Sequence, residues 1–259
     1  MNHIGPISLL GYATGQFIDP TLEFGPRWIR HHSKLFDPAD IFIVCNHVNR
    51  DLYEGYGVNL INRDHPEGNE YDVFWEMATT YEAIVRLRLT YGATVFTSMD
   101  EFICTRKPIR EIVEADEWVP CRRIPSYDVV HDPLTEPSLD LSRPTLPQRK
   151  FWKYSPSATH PAILYSGLAP ALGWHSLAGI EPGDIPFAYG IILAHMKRED
   201  YSMLHRRTED RQSWQWGLAK NQKGLSHHNK LTGKDLEEWF FQDLPEDLEL
   251  TQNGFLETP

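Results

Sequence analysis

The chain has 259 residues, 41% of them hydrophobic and 24% charged, with a formal net charge of -11; these are the proportions of a folded globular protein, not of a disordered one. The charge excludes a general nucleic-acid surface, which is built on Lys and Arg neutralising phosphates, so an anionic ligand would need a local metal or arginine. No apolar window reaches the roughly 18 residues of a membrane span, and the amino-terminal "MNHIGPISLLGYATGQF" lacks the basic lead and long apolar core of a signal peptide. Three scattered cysteines, Cys45, Cys104 and Cys121, show no CxxC spacing and read as buried thiols in a reducing cytoplasm.

Taken in chain order, "ISLLG", Ile7 to Gly11, reads as a first buried strand opening into a loop that contains Gly15. "FGPRWIRHHSKLF" sets Pro26 at a first helical position and spaces Trp28, Ile29, Leu35 and Phe36 as a helix does. "DIFIVCNH", Asp40 to His47, is a second strand, apolar almost throughout as strands covered on both faces are. A turn-rich "NRDLYEGYG" and a short third run, "VNLIN", follow. "VFWEMATTYEAIVRLRLTYG" has the pattern of a long amphipathic helix ending at Gly92. "ATVFTSMDEFICTR", Ala93 to Arg106, then predicts a fourth strand that ends on two adjacent carboxylates, Asp100 and Glu101.

Pro108 to Glu117 reads as a helix, and the proline-rich stretch from about Cys121 to Pro147 as a long ordered loop passing over the sheet. "RKFWKYSP", "AILYSG" and Tyr189 to His195 are expected strands; from Tyr201 the chain turns helical, with Thr232 placed to cap a last helix. The doublets His31-His32 and His227-His228 read as surface histidines, since neighbours on a helix point about 100° apart and rarely chelate together. The alternation of apolar strands with helices predicts an α/β fold with a mostly parallel sheet flanked by helices, followed by a helical C-terminal extension over 206–259.

Ligands of such sheets bind outside the carboxyl ends of the strands, where Asp100 and Glu101 fall. The pair is either a strand running out into solvent or a site where a carboxylate holds a divalent cation that bridges a diphosphate. Hard oxygen ligands suit Mg²⁺ or Mn²⁺, with an imidazole acceptable to Mn²⁺. His175 in "LGWHSL" and His195 in "IILAHMKRED" are the later histidines expected at strand ends, and each has a purely structural alternative. There is no GxxxxGK[ST], GxSxG, HExxH or strand-following GxGxxG.

"SMDEFI" resembles the acidic strand-end motif of GT-A type glycosyltransferases, in the DxDEF version of family 2-like and family 92-like members. The order of strands and helices before it is similar, and "FWKY", "GWHS" and "LAHMKREDYSMLHRR" resemble the later part of those enzymes, so that the likeness spans about residues 5 to 210. It implies a GT-A-like domain over 1–205 that moves a sugar from a nucleotide-diphosphate sugar, a UDP-sugar in preference, to a saccharide or glycan hydroxyl in polysaccharide or glycoconjugate synthesis. Asp100 would then be a ligand to Mn²⁺ or Mg²⁺, and His195, or less readily His175, the late metal or diphosphate ligand. Ser98 stands where the family has its first acid, able to hydrogen-bond but not to supply charge.

Donor binding would fall to Gly11, Tyr12, Ala13 and Thr14 after the first strand and to polar groups near Asn46 and Asn49 after the second. Gly11 and Gly15 also fit a purely turn-forming role. Arg206 and Arg207 would pair with diphosphate oxygens, while Lys197 and Arg198 fit a solvated helix face better. Trp174 and His175 would meet the acceptor. In an inverting reaction Glu101, Glu181 or Asp184 would deprotonate the acceptor hydroxyl. Two other readings compete: a non-catalytic carbohydrate-binding protein on the same fold, which Ser98 favours, and a metal-dependent hydrolase or phosphotransferase using Asp100, His175 and His195. Contact with a membrane face remains open to a chain lacking a span. The aromatic tail, Trp214, Trp216, Trp239, Phe240 and Phe241, is either a homo-oligomer interface or packing against the sheet.

Overall fold

In the computed structural model of the chain, the described residues are 5–13, 24–45, 47–64, 73–115, 119–167, 180–212, 234–236 and 240. The elements in order are β1 (Ile7–Tyr12), α1 (Gly25–His32), β2 (Ile41–Cys45), α2 (His47–Tyr53), β3 (Asn59–Asn62), α3 (Val73–Leu87), β4 (Ala93–Ser98), β5 (Glu101–Thr105), α4 (Ile109–Glu114), β6 (Cys121–Ile124), β7 (Ser126–Val130), β8 (Phe151–Tyr154), β9 (His160–Leu164), β10 (Ile191–Arg198) and α5 (Tyr201–Gln212). They form a mixed α/β fold whose larger sheet has the order β3-β2-β1-β4-β9-β6. β3, β2, β1 and β4 are parallel, and β9 runs against both of its neighbours. A second sheet, β5-β10-β7-β8, carries the continuation of the chain beyond β4.

Adjacent leucines show why the strands read as apolar runs. Leu9 and Leu10 are both fully buried, and the pleat sends them to opposite faces. Leu9 joins Trp28 and Ile29 of α1, whereas Leu10 joins Ala83, Ile84 and Leu87 of α3. Each buried leucine contributes about 1.5–3 kcal/mol of transfer free energy, so both helices are fixed to the sheet by the same strand. The α1-side cluster also takes in Ile103, Val129, Trp152, Leu193 and Met196, and so joins the second sheet to the first in one core. The three cysteines are buried free thiols, as expected.

The structure corrects several expectations. The expected fourth strand is two: the chain leaves β4 at Ser98, turns at Met99 and Asp100, and enters the other sheet as β5. The proline-rich stretch from Cys121 is not a loop at its start, because Pro125 separates β6 from β7 and the remaining prolines lie outside both strands. The turn-rich stretch after β2 is largely α2. Lys197 and Arg198 belong to β10 rather than to a helix face, and Arg198 is buried.

His31 and His32 are not surface groups. β5 pairs on one side with β10, and α1 covers its other edge. His32 Nε2 accepts from the Ile103 N–H at 3.1 Å, and His31 Nε2 donates to the Ile103 carbonyl at 2.6 Å. Two imidazoles thereby satisfy an edge that would otherwise expose its backbone groups. α5 runs through residue 205, and its Leu204 packs with Leu236 and Phe240. Thr232, Trp214, Trp216, Trp239, Phe241 and His227-His228 lie outside the described residues.

Candidate active site

Chain order moves outward from β1 through β2 to β3 and returns to β4 on the other flank of β1. The winding therefore reverses between β1 and β4, and doubly wound sheets bind ligands in the crevice outside the carboxyl ends at such a reversal. Tyr12 and Ala13 sit there on one side and Ser98, Met99 and Asp100 on the other. The Met99 N–H donates to the Tyr12 carbonyl at 3.2 Å and ties the two ends together.

Gly11 lies within β1, not in the loop after it. A Cβ at Gly11 would come to 2.7 Å from the Trp28 side chain and 3.0 Å from that of Met99. The missing side chain lets the indole close on the strand, where Trp28 Nε1 donates to Thr97 Oγ1 at 3.1 Å. Gly11 thus sets how closely α1 packs on β1. Tyr12 ends the strand half-buried, and Ala13 is buried with its N–H bonded to the Val44 carbonyl at 3.0 Å. Thr14, Gly15, Asn46, Trp174 and His175 lie outside the described residues, as does the side chain of Asn49.

Backbone register brings the two expected metal residues together. The Met196 N–H donates to the Asp100 carbonyl at 2.7 Å, and β10 pairs antiparallel with β5 so that His195 stands opposite Glu101. His195 Nε2 then lies 3.4 Å from Asp100 Oδ2. On its other flank β10 pairs parallel with β7, which sets Asp128 against His195. His195 Nδ1 donates to Asp128 Oδ1 at 2.6 Å. His195 is therefore an interior residue of β10, not a strand-end one, and the sheet itself aims its ring.

Both nitrogens of His195 face carboxylates. Burial alone would lower its pKa, but the charge of Asp100, with the bonds to Asp100 and Asp128, outweighs this and raises it to about 10. Asp128 is held below its ordinary value: burial would raise it, and the bond to His195 overrides that. The side chains of Asp100 and His195 keep 24% and 17% of their exposure, enough to meet a ligand.

The pair suits a hard divalent cation that accepts one imidazole. Without a cation the two carboxylates keep the ring protonated, so a metal ion would have to displace the Nε2 proton on the Asp100 side while Asp128 retained the Nδ1 proton, the carboxylate–histidine arrangement found behind metal ligands. Among the described residues no group of three or more His, Cys, Asp or Glu is placed to hold a metal ion. A cation held by Asp100 and His195 would take its other ligands from phosphate oxygens and water, as is usual for Mg²⁺ in nucleotide sites.

Glu101 does not join Asp100. It is 4% exposed, and its Oε2 accepts from the Ser98 N–H at 2.9 Å and from His160 Nε2 at 2.9 Å. His160 Nδ1 faces the Pro161 carbonyl at 3.1 Å, so both ring nitrogens meet acceptors. Burial would lower the pKa of His160, but the Glu101 charge prevails and raises it. This buried pair fastens the turn that presents Asp100. Ser98, half-buried at the end of β4, belongs to the same turn.

Glu181 and Asp184 are exposed on the segment before β10, which packs through Ile180 and Ile185 on the α3 side of the sheet. Arg206 is exposed on α5. Arg207 is turned inward, with its NH2 donating to Glu199 Oε1 at 3.0 Å and its guanidinium 3.7 Å from the centre of the Phe24 ring. The expected diphosphate role of Arg207 conflicts with that burial. Sequence reasoning missed Asp128 and His160. The alternation in "SYDVV" was a signal for Asp128; Pro161, next to His160, hid the start of β9.

No protein-family model matches the chain, and no curated protein matches it by sequence. The solved structures to which the chain is similar include three from different organisms. One is the bifunctional IspDF from Campylobacter jejuni, 12% identical over 61% of this chain and 40% of that one, with a TM-score of 0.34. Another is a putative glucose-1-phosphate thymidylyltransferase from Bacillus anthracis in complex with a sucrose, 14% identical over 91% and 83%, with a TM-score of 0.32. The third is mouse xyloside xylosyltransferase 1 in its apo form, 12% identical over 49% and 52%, with a TM-score of 0.29. The chain spans less than half the length of the IspDF protein. Likenesses this distant assign no residue and no activity.

Proposed function

We propose that the chain is a glycosyltransferase that takes a sugar from a nucleotide-diphosphate sugar, preferably a UDP-sugar, and transfers it to a saccharide or glycan hydroxyl. The observation that carries this reading is the meeting of Asp100 and His195 beside the reversal between β1 and β4, with Asp128 orienting the imidazole. Asp100 and His195 Nε2 would hold Mn²⁺ or Mg²⁺, and Asp128 keeps that nitrogen turned toward the crevice. The bound cation would supply positive charge against the departing diphosphate, beside two carboxylates that would otherwise repel it. Glu101 and His160 hold the turn, and Gly11 lets Trp28 pack closely on β1 beside it. Synthesis of a polysaccharide or glycoconjugate is the setting proposed.

Calorimetry with UDP, GDP and their sugars, with and without Mn²⁺, tests the reading. UDP should bind in a Mn²⁺-dependent way, and Asp100→Ala and His195→Ala should each weaken it at least tenfold. Absence of nucleotide binding would overturn the function, and binding indifferent to Asp100→Ala would overturn the site. Ser98, in place of an acid, favours a second reading in which saccharide is bound without turnover. Retained binding with no release of UDP from a UDP-sugar selects that reading.

A further inference from the structure

We infer a second ligand site, separate from the Asp100–His195 pair, that takes a small phosphorylated or similarly multivalent oxyanion. It is a pocket of about 650 Å³ between α1 and the segment 142–147, a volume within the range of small-molecule sites. Arg27, Arg30 and Lys34 lie at i, i+3 and i+7 along α1 and its end and so share one face of that helix. Arg143 meets them from the opposite wall. Among the described residues no carboxylate lines this pocket. In a chain with 36 acidic and 25 basic side chains, Arg30, Lys34 and Arg143 around one acid-free hollow concentrate positive potential where the molecule as a whole repels anions, while the charge of Arg27 is met by Glu199.

Arg27 forms the inner wall of the pocket. Its side chain is 6% exposed, and NH1 and NH2 are engaged by Glu199 and Thr145. Its Nε is buried and finds no acceptor. Arg30, exposed at the rim, is steadied by donation from its NH1 to Tyr56 Oη at 3.3 Å. Phe102 adds a buried aromatic wall for the less polar part of a ligand. Guanidinium groups suit phosphate because their paired N–H donors match its oxygens.

The site does not rest on the transferase reading, and the test keeps the two apart. Inorganic pyrophosphate is titrated calorimetrically into the full chain at low salt with EDTA present, so that no cation can bridge it to Asp100. Saturable binding is expected in the wild type and in Asp100→Ala. The double charge reversal Lys34→Glu/Arg143→Glu, at two exposed positions, should weaken it at least tenfold while leaving the circular-dichroism melting curve in place. Failure of the wild type to bind, or equal binding by the double variant, overturns the site. Loss of binding in Asp100→Ala overturns it too, by moving the anion to the crevice. Vesicles containing anionic phospholipid form a third arm: binding to them without saturable pyrophosphate binding would mean a membrane-facing surface instead of a pocket.

Discussion

The state of His195 depends on two carboxylates that the chain supplies from different places, Asp100 at the turn after β4 and Asp128 on β7. Asp128→Asn keeps the shape and removes one charge, so the pKa of His195 should fall well below its value of about 10. The measurement is an NMR titration of the imidazole; an unchanged midpoint would show that Asp128 does not set the charge of the ring. Affinity for UDP with Mn²⁺ should fall about 10–100-fold in the same variant, the usual effect of deleting a partner behind a metal ligand. Gly11→Ala is a second residue-scale test. Its methyl would lie 2.7 Å from Trp28, and overpacking of this kind costs about 1–3 kcal/mol, to be read from urea unfolding. Asp100 and His195 could be singled out in the sequence because one follows a strongly apolar strand and the other lies within one. Asp128 and His160 were not, since their meaning lies in partners 67 and 59 positions away, joined by register alone.

At the scale of elements, α1 serves both sheets: Trp28 seals β1, and His31 and His32 close the edge of β5. His32 Nδ1 donates to the Trp28 carbonyl at 2.9 Å while Nε2 accepts from Ile103, so the bonding requires the neutral ring. Burial, then the neighbouring His31, holds its pKa well below 6.5. A depressed folded value means that the unfolded chain binds the proton more readily. The stabilisation is therefore complete above about pH 6.5 and is lost as pH falls toward the folded value. Urea midpoints should drop between pH 7 and pH 5, and His32→Phe should show a smaller drop while costing about 1–3 kcal/mol at pH 7 for the orphaned Ile103 N–H. An equal pH response in wild type and variant would refute this role. β1, β2, α3 and β4 were readable from their runs and periods because those patterns are local. β6 and β7 were hidden by the prolines around them, and a proline between strands leaves the same mark in a sequence as a proline in a loop.

Across the whole molecule, a buried cluster of charges holds distant parts of the chain in one arrangement. Glu199 is fully buried just after β10 and receives Arg27 of α1 through two bonds, at 2.7 and 2.8 Å, and Arg207 of α5 at 3.0 Å. Next to it, Asp200 Oδ2 accepts from Arg149 at 3.1 Å and from the Leu139 N–H at 2.8 Å, while Oδ1 accepts from the Met203 N–H at the start of α5. Burial would raise the pKa of Glu199, yet Arg27 and then Arg207 hold it below its usual value. Removing that charge leaves two buried guanidinium groups without their counterion, a change that costs about 3–5 kcal/mol. Glu199→Gln should therefore lower the unfolding free energy by that order in urea, and a loss under about 1 kcal/mol would show that the cluster contributes little net stability. Adding Arg27→Met should recover part of the loss, because one of the stranded charges goes with it and residues in one network do not act additively. The consequence reaches the crevice, since Glu199 follows His195 by four positions and β10 is irregular in its pairing with β7 between His195 and Arg198. With its far end unclasped, β10 should hold His195 less firmly against Asp100. Glu199→Gln, studied where it remains folded, should then bind UDP with Mn²⁺ more weakly than wild type; equal affinity by calorimetry would confine the cluster to stability alone.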